Sequence, residues 1–192
     1  MDDGAIPDAP GVLDAIQEDT QRLGFGMGSE ARTGSLLRTL AASKPGGRFL
    51  ELGTGTGVGT AWILSGMDSD ARLDSVDSDP QVQAVARRHL GHDPRVTFQC
   101  VDGATFLQDV QGQTFDLIFA DAWPGKFTHL DLALSLLARG GMYLIDDLVP
   151  QPSWPDDHAP KVAALIAGLE GRTGFVITKL EWASGLTLLV RR

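Results

Sequence analysis

The sequence is nearly devoid of cysteine. Cys100 is the only one in 192 residues, so no internal disulfide can form and a reducing compartment fits. It has no excess of positive charge. Lys and Arg number 16 against 25 Asp and Glu, a formal net charge of −9. Proteins that grip a phosphate backbone carry a basic face, so a nucleic-acid partner is not expected. No run approaches the ~20 apolar residues of a membrane span. The opening Met1-Asp2-Asp3 lacks the basic and then apolar pattern of a signal peptide. The expectation is a cytoplasmic protein with no membrane partner. G-x-S-x-G is absent, which leaves no nucleophile elbow.

What remains is an ordinary globular composition, 43% apolar and 21% charged. The length suits one domain with a full core. Residues 1–24 read as a tail followed by a helix at Leu13–Leu23, and residues 25–192 as the main domain. Ser29 is placed to cap a second helix carrying Leu36, Leu37 and Leu40. Strands and helices then alternate. Strands are expected at Arg48–Leu52, Leu73–Val76, Val96–Val101, Phe115–Ala120 and Met142–Ile145. Helices are expected at Thr60–Gly66, after Asp79-Pro80, at Ala104–Val110, Leu130–Leu137 and Lys161–Leu169. Phe175–Leu180 and Leu186–Val190 flank a turn and read as a hairpin. This order implies an α/β, doubly wound Rossmann-like domain with a mostly parallel seven-stranded sheet and a C-terminal antiparallel hairpin.

Ligands of such sheets sit at the carboxyl ends of the strands. Residues 53–59, Gly-Thr-Gly-Thr-Gly-Val-Gly, lie there. A dinucleotide fingerprint needs G-x-G-x-x-G. Counted from Gly53 the third position is Val58, and from Gly55 it is Thr60, so neither register fits. Glu51, just before the loop, is ill suited to receive an anionic pyrophosphate and well suited to a cationic ligand. S-adenosylmethionine carries a sulfonium and an amino group. Asp77, at the end of strand two, can accept hydrogen bonds from ribose hydroxyls. Asp102-Gly103-Ala104 would bring backbone amides near an adenine edge. Asp121 and Asp146 end strands four and five, whose tips would lie about 5 Å apart if the strands are neighbours. With Asp147 they would form a repelling carboxylate cluster. A divalent cation with oxygen preference, Mg²⁺ or Ca²⁺, would relieve that repulsion.

The segments ELGTGTG (51–57), SVDSDP (75–80), VDGATFL (101–107), FDLIFADAW (115–123) and GGMYLIDDL (140–148) resemble the small class I S-adenosylmethionine-dependent O-methyltransferases of the catechol and caffeoyl-CoA type. The resemblance runs from about residue 25 to the C-terminus. It implies that Glu51, Gly53, Thr54 and Gly59 line the methionine end of the cofactor, that Asp77 binds ribose and that Ala104 sits by the adenine. It also implies metal at Asp121, Asp146 and Asp147, with Asp147 where the family has asparagine, and Asp121 near the cofactor's amino group. The reaction implied is methyl transfer to a hydroxyl of a small molecule.

One departure bears on mechanism. The family's basic lysine, three residues after the first metal aspartate, is Pro124 here. Lys126 or His129 would have to substitute, although the stronger reading of Lys126 is a surface charge and of His129 a helix-start residue. A metal-independent transfer to a nitrogen or protein acceptor, and a non-catalytic cofactor-binding module, are the alternatives. Trp123 and Trp154 are placed either to stack on an aromatic acceptor or to pack loop 148–155. Trp62 and Trp182 read as packing, and His89, His92 and His158 show no ligand or triad spacing. Related enzymes often pair through N-terminal helices, which makes a homodimer the assembly to test.

Overall fold

The computed structural model describes residue 6, residues 8–151, residue 154 and residues 157–192. The expected tail at residues 1–5 and 7, and residues 152, 153, 155 and 156 of the proline-rich loop, lie outside the described residues.

The strands are β1 (Arg48–Leu52), β2 (Arg72–Asp77), β3 (Val96–Cys100), β4 (Phe115–Ala120), β5 (Leu137–Ile145), β6 (Phe175–Leu180) and β7 (Leu186–Arg191). The helices are α1 (Leu13–Leu23), α2 (Ala31–Ala42), α3 (Val58–Gly66), α4 (Pro80–Leu90), α5 (Gly103–Asp109), α6 (Leu130–Ser135) and α7 (His158–Glu170). One sheet runs β3-β2-β1-β4-β5-β7-β6. Its first five strands are parallel, and β7 lies antiparallel between β5 and β6. The expected seven-stranded architecture with a terminal hairpin is what forms. Among the described residues no helix is long and apolar enough to cross a membrane.

Both sheet faces are covered, which explains the near-continuous apolar runs of the central strands. Phe49, Leu73, Leu117 and Phe119 point to the face that holds Ile16, Leu37 and Trp62 of α1, α2 and α3. Leu50, Leu52, Ile118 and Tyr143 point to the other, against Leu107, Leu134 and Leu165 of α5, α6 and α7. Helix α1 therefore belongs to the same core as the rest of the domain. α4 begins as its sequence dictates: Asp79 accepts from the N–H groups of Gln81 and Val82, and Pro80 takes the first helical position.

Two local expectations are corrected. α6 stops at Ser135, and the next strand begins at Leu137 rather than Met142. Leu134, Leu136 and Leu137 mimic a helical stripe, but Leu137 pairs with Phe115, and an irregularity follows before Met142 resumes the register opposite Leu117. That partner is distant in sequence and overrides the local pattern. Ser29 does not cap α2. Glu30 is the N-cap, without a side-chain bond, and the Ser29 hydroxyl is used elsewhere.

Candidate active site

The sheet order reverses between β1 and β4, and the strand tips there are tied together by backbone. Gly53 and Thr54 both donate to Val76 O, Asp121 N donates to Leu52 O, and Asp146 N donates to Ala120 O. These bonds set Asp77, Gly53, Asp121 and Asp146 in one row across the carboxyl end of the sheet. Gly53 has φ +103°, and a Cβ there would stand 2.6 Å from Asp121 O. The loop can pass this close to β4 only as glycine.

Glu51 is fully buried beneath that loop. It faces Ser75 of β2 across the ladder. Its Oε2 accepts from Ser75 Oγ at 2.6 Å and from Thr60 Oγ1 at 2.5 Å. Ser75 is in turn 2.7 Å from Thr54 Oγ1, which accepts from Gln83 Nε2. The other oxygen, Oε1, is buried with no hydrogen-bond partner among the described residues. A Cβ on Gly59 would lie 2.5 Å from that oxygen and 3.5 Å from Ser29 Oγ. Burial pushes the Glu51 carboxyl up to about 7, against the two hydroxyl bonds that favour its charge. The α3 backbone can come this close to the Glu51 carboxylate only because residue 59 has no side chain.

Next to it lies a cleft of about 250 Å³ lined by Gly53, Gly55, Asp77, Gly103, Asp121 and Pro124, with Phe25 and Met27 at its rim. Asp77 Oδ2 accepts from Gly55 N, and its Oδ1 from Asp79 N. The predicted cofactor residues therefore divide. Gly53, Asp77 and Asp121 line the cleft. Glu51, Thr54 and Gly59 lie beneath its floor and shape it. Ala104 is absent from the lining, where its neighbours Asp102 and Gly103 stand instead. A shallower groove of about 420 Å³, lined in part by Asp131, Arg172 and Arg191, lies at the opposite strand ends, away from every tip carboxylate.

The tips of β4 and β5 carry a second constellation. Asp121 Oδ2 accepts from Ser29 Oγ at 3.2 Å. Asp146 Oδ1 accepts from Ser184 Oγ and from Asp147 N. Asp147 has φ +61°, a backbone that Asn and Asp tolerate best. Its Oδ1 accepts from Trp154 Nε1 at 2.8 Å, and its Oδ2 lies 3.7 Å from Lys126 Nζ and 3.4 Å from His158 Nε2. Lys126 is 4% exposed, so the reading of it as a surface charge is corrected. The reason is the loop after β4. Phe127 N and Thr128 N return to Trp123 O, Gly125 N donates to Thr128 O, and Tyr143 Oη donates to Gly125 O at 2.6 Å. This tight turn folds Lys126 inward, where its Nζ also donates to Asp147 O at 3.3 Å. His129, at the start of α6, stays exposed.

Burial raises the Asp121 carboxyl well above its usual range, and the Asp146 charge adds to this; Lys126 opposes it. Burial likewise raises Asp146, against the Ser184 and Asp147 N–H bonds. Lys126 is lowered by its own burial, with Asp147, Asp121 and Asp146 opposing.

The expected metal site does not fit this geometry. Among the described residues no group of three His, Cys, Asp or Glu is arranged to hold a metal ion. Mg²⁺ needs oxygen ligands converging at ~2.0–2.1 Å. Here the carboxylates turn to protein donors, and an ammonium stands among them.

The aromatic residues form a wall beside the lysine. Trp123 meets Phe127 edge-on at 5.7 Å, Phe127 meets His158 at 5.1 Å, and Trp154 lies 4.3 Å from His158. Lys161 Nζ sits 4.1 Å from the Trp123 ring, whose residue is half exposed. Trp154 is committed to Asp147, so of the two tryptophans Trp123 has the open face. The sequence reading missed Ser29, Ser75, Ser184, Phe127 and His158. Ser75 had a signal, a polar residue at the ladder position opposite Glu51. The others reach the site from segments with no motif.

A family profile described as "Methyltransferase domain" matches residues 50–148. A Mycolicibacterium smegmatis protein, assigned by inference as an O-methyltransferase, is 32% identical over 142 residues, which is 70% of this chain and 66% of the relative. The chain spans about three fifths to two thirds of the length of the curated relatives it matches. A Klebsiella pneumoniae crystal structure, likewise assigned by inference as an O-methyltransferase, superposes with a TM-score of 0.84 at 27% identity, covering 98% of this chain and 93% of that one. TomG of Streptomyces achromogenes, an O-methyltransferase crystallised with S-adenosylmethionine, gives 0.81 at 22% identity over 94% and 89% of the chains, a likeness of fold.

Proposed function

This chain belongs to the methyltransferase-domain family, and from that membership we propose that it transfers the methyl group of S-adenosylmethionine to a hydroxyl oxygen of a small molecule. The observation that carries the proposal is the orphaned Glu51 Oε1, buried under the glycine loop and close to Asp77 in the cleft wall. That pairing suits a ligand with an ammonium at one end and a ribose at the other. The assignment of its relatives as O-methyltransferases supports oxygen as the acceptor atom.

S-adenosylmethionine, when bound, supplies a methyl on a sulfonium: the O–CH₃ bond forms as the S–CH₃ bond breaks, and its electron pair stays on sulfur. The protein's residues do the rest. Glu51 and Asp121, with Ser29 between them, hold the ammonium. Asp77 holds the ribose, and the backbone of Asp102 and Gly103 faces the adenine. Lys126 steadies the acceptor oxygen as it gains negative charge. The Asp121–Asp146 pair, whose proton affinity is raised by burial, takes the proton that the hydroxyl loses. Holding acceptor and methyl in line supplies the remaining advantage. Lys126 beside these carboxylates supports catalysis over a non-catalytic module. A homodimer stays part of the proposal, to be read from light scattering, and the acidic balance and lone cysteine support a cytoplasmic setting.

Calorimetric titration with S-adenosylhomocysteine tests the cofactor assignment. Binding is expected, with no heat from NADH. A folded protein that binds NADH and ignores S-adenosylhomocysteine would sink it. Methyl transfer to a panel of phenols then tests the acceptor class.

A further inference from the structure

The disagreement between the aspartate cluster and a divalent cation has a specific cause, and it is a residue of this chain. We propose that the Lys126 ammonium is the resident cation of the Asp121–Asp146–Asp147 cluster, standing where a divalent ion would have to stand, so that the centre needs no metal.

Three observations converge on this. First, Lys126 is as buried as a core residue, yet its Nζ has only the carbonyl of Asp147 as a hydrogen-bond partner among the described contacts. A buried ammonium is costly unless opposite charge surrounds it. That charge is present: Asp147 Oδ2 lies 3.7 Å away, and Asp121 and Asp146 both act on Lys126 through space. Second, three carboxylates gathered at two adjacent strand tips repel one another unless a cation lies among them. The ammonium supplies one positive charge, and Ser29, Ser184, Trp154 and the Asp147 N–H occupy carboxylate lone pairs. Third, the lysine is held inward by backbone rather than by chance rotamer. The Trp123–Thr128 turn and the Tyr143–Gly125 bond fix its stem, and the centroid of the Phe127 ring lies 5.1 Å from Nζ. Nearby, His158 Nε2 lies 3.4 Å from Asp147 Oδ2.

The substitution has a consequence for acceptors, which rests on the methyltransferase reading above. A divalent ion can chelate two adjacent hydroxyls. An ammonium is a point donor and offers no such two-site grip. The centre should therefore take an acceptor with one acidic hydroxyl as readily as a vicinal diol.

The test is titration of MnCl₂ into the S-adenosylhomocysteine-loaded protein and into Lys126→Ala, by calorimetry and thermal unfolding. The wild type is expected to show no Mn²⁺ heat and no shift in melting temperature. Lys126→Ala is expected to gain Mn²⁺ affinity by at least ~10-fold and to be stabilised by the ion, because its carboxylates lose their counter-charge. Lys126→Met, which keeps the buried stem, serves as the second variant if Ala does not fold. Mn²⁺ binding by the wild type with Lys126 in place overturns the proposal. So does a folded Lys126 variant that gains nothing. Neither result depends on methyl transfer, so a failure of the activity reading is separately visible. If transfer is observed, its rate should be unchanged by EDTA, and a monophenol should be turned over within ~3-fold of the matching catechol.

Discussion

The two halves of the site are built in different ways. The cofactor half, at the tips of β1 and β2, is made of glycines, backbone and neutral hydroxyls around one buried carboxylate. The hydrogen-bonded network around that carboxylate lies between residues 51 and 83, and Asp121 of β4 closes the cleft from the other half. The acceptor half, at the tips of β4 and β5, is made of the charged and aromatic side chains of Asp121, Lys126, Phe127, Asp146, Asp147, Trp154 and His158, with the hydroxyls of Ser29 and Ser184. The first is a rigid mould, since hydroxyl and backbone bonds leave few alternatives. The second is held by charge balance and by one tight loop. Changes in the first half should act on cofactor affinity and leave acceptor parameters alone; changes in the second should do the reverse.

The largest effect is expected where the halves touch. Gly53→Ala places a Cβ 2.6 Å from Asp121 O on a backbone at φ +103°. The strain of ~1–3 kcal/mol for such a conformation adds to the displacement of β4. S-adenosylhomocysteine affinity should fall by at least ~100-fold, or ~2.7 kcal/mol, measured by calorimetry. Retention within a few fold would show that the loop does not need its contact with Asp121.

Glu51→Gln should come next and has a pH signature. Binding of an ammonium requires the ionised carboxylate, whose pKa in the free protein is about 7. Wild-type affinity for S-adenosylhomocysteine should therefore weaken as pH falls below 7, and the variant should lose ~10-fold or more at pH 8 with little pH dependence. Stability moves the other way. The folded-state value lies above the ordinary 4.5, so this group's contribution is fully present at low pH and is lost as pH rises through 7. The ligand-free wild type should lose ~3 kcal/mol from this group between pH 4.5 and 8, and Glu51→Gln should not. A variant no flatter than wild type in melting temperature across that window would remove Glu51 as the seat of the effect.

The same division decides how much the sequence could reveal. The glycine loop, Glu51 and Asp77 are legible because function there follows from contiguous backbone and strand tips, and periodicity locates strand tips well. The seven-stranded order is legible for the same reason. Lys126 is not legible as a buried cation. Its inward turn depends on Tyr143 and Gly125, and 126 is two residues from the position where the family carries its base. His158 and Ser184 arrive through chain segments whose only sequence signal is that they follow β5 or join β6 to β7. Asp146 and Asp147 are visible as acids, but a run of acids says nothing about what neutralises them. Charge alone points to a metal, and only the folded loop shows a lysine turned toward the same carboxylates.

Tyr143→Phe probes the loop that carries Lys126. The change removes a buried bond to Gly125 O and leaves the ring packed. A single such bond is worth ~1 kcal/mol. Loosening of the turn should lower kcat by about 5-fold and leave S-adenosylhomocysteine affinity as it was. Equal losses in both would mean that the loop also braces the cofactor cleft, and the two halves would then be one.

The smallest effect, and the sharpest for the acceptor half, belongs to Trp123. Its ring is half exposed, is covered on one side by Lys161 Nζ at 4.1 Å and meets Phe127 edge-on. None of these contacts reaches the cofactor cleft, and the neighbouring Trp154 already spends its N–H on Asp147. An exposed indole contributes little to folding, so Trp123→Ala should leave the melting temperature nearly unchanged. An aromatic acceptor stacked on that ring would lose ~0.5–1.5 kcal/mol, which raises KM by about 2- to 12-fold with kcat and S-adenosylhomocysteine affinity intact. Trp123→Phe, which keeps a ring, should recover most of the loss. An aliphatic alcohol acceptor should be indifferent to both changes. If KM does not move for any phenol, Trp123 is a packing residue of the loop, and the acceptor must be gripped by the charged cluster alone.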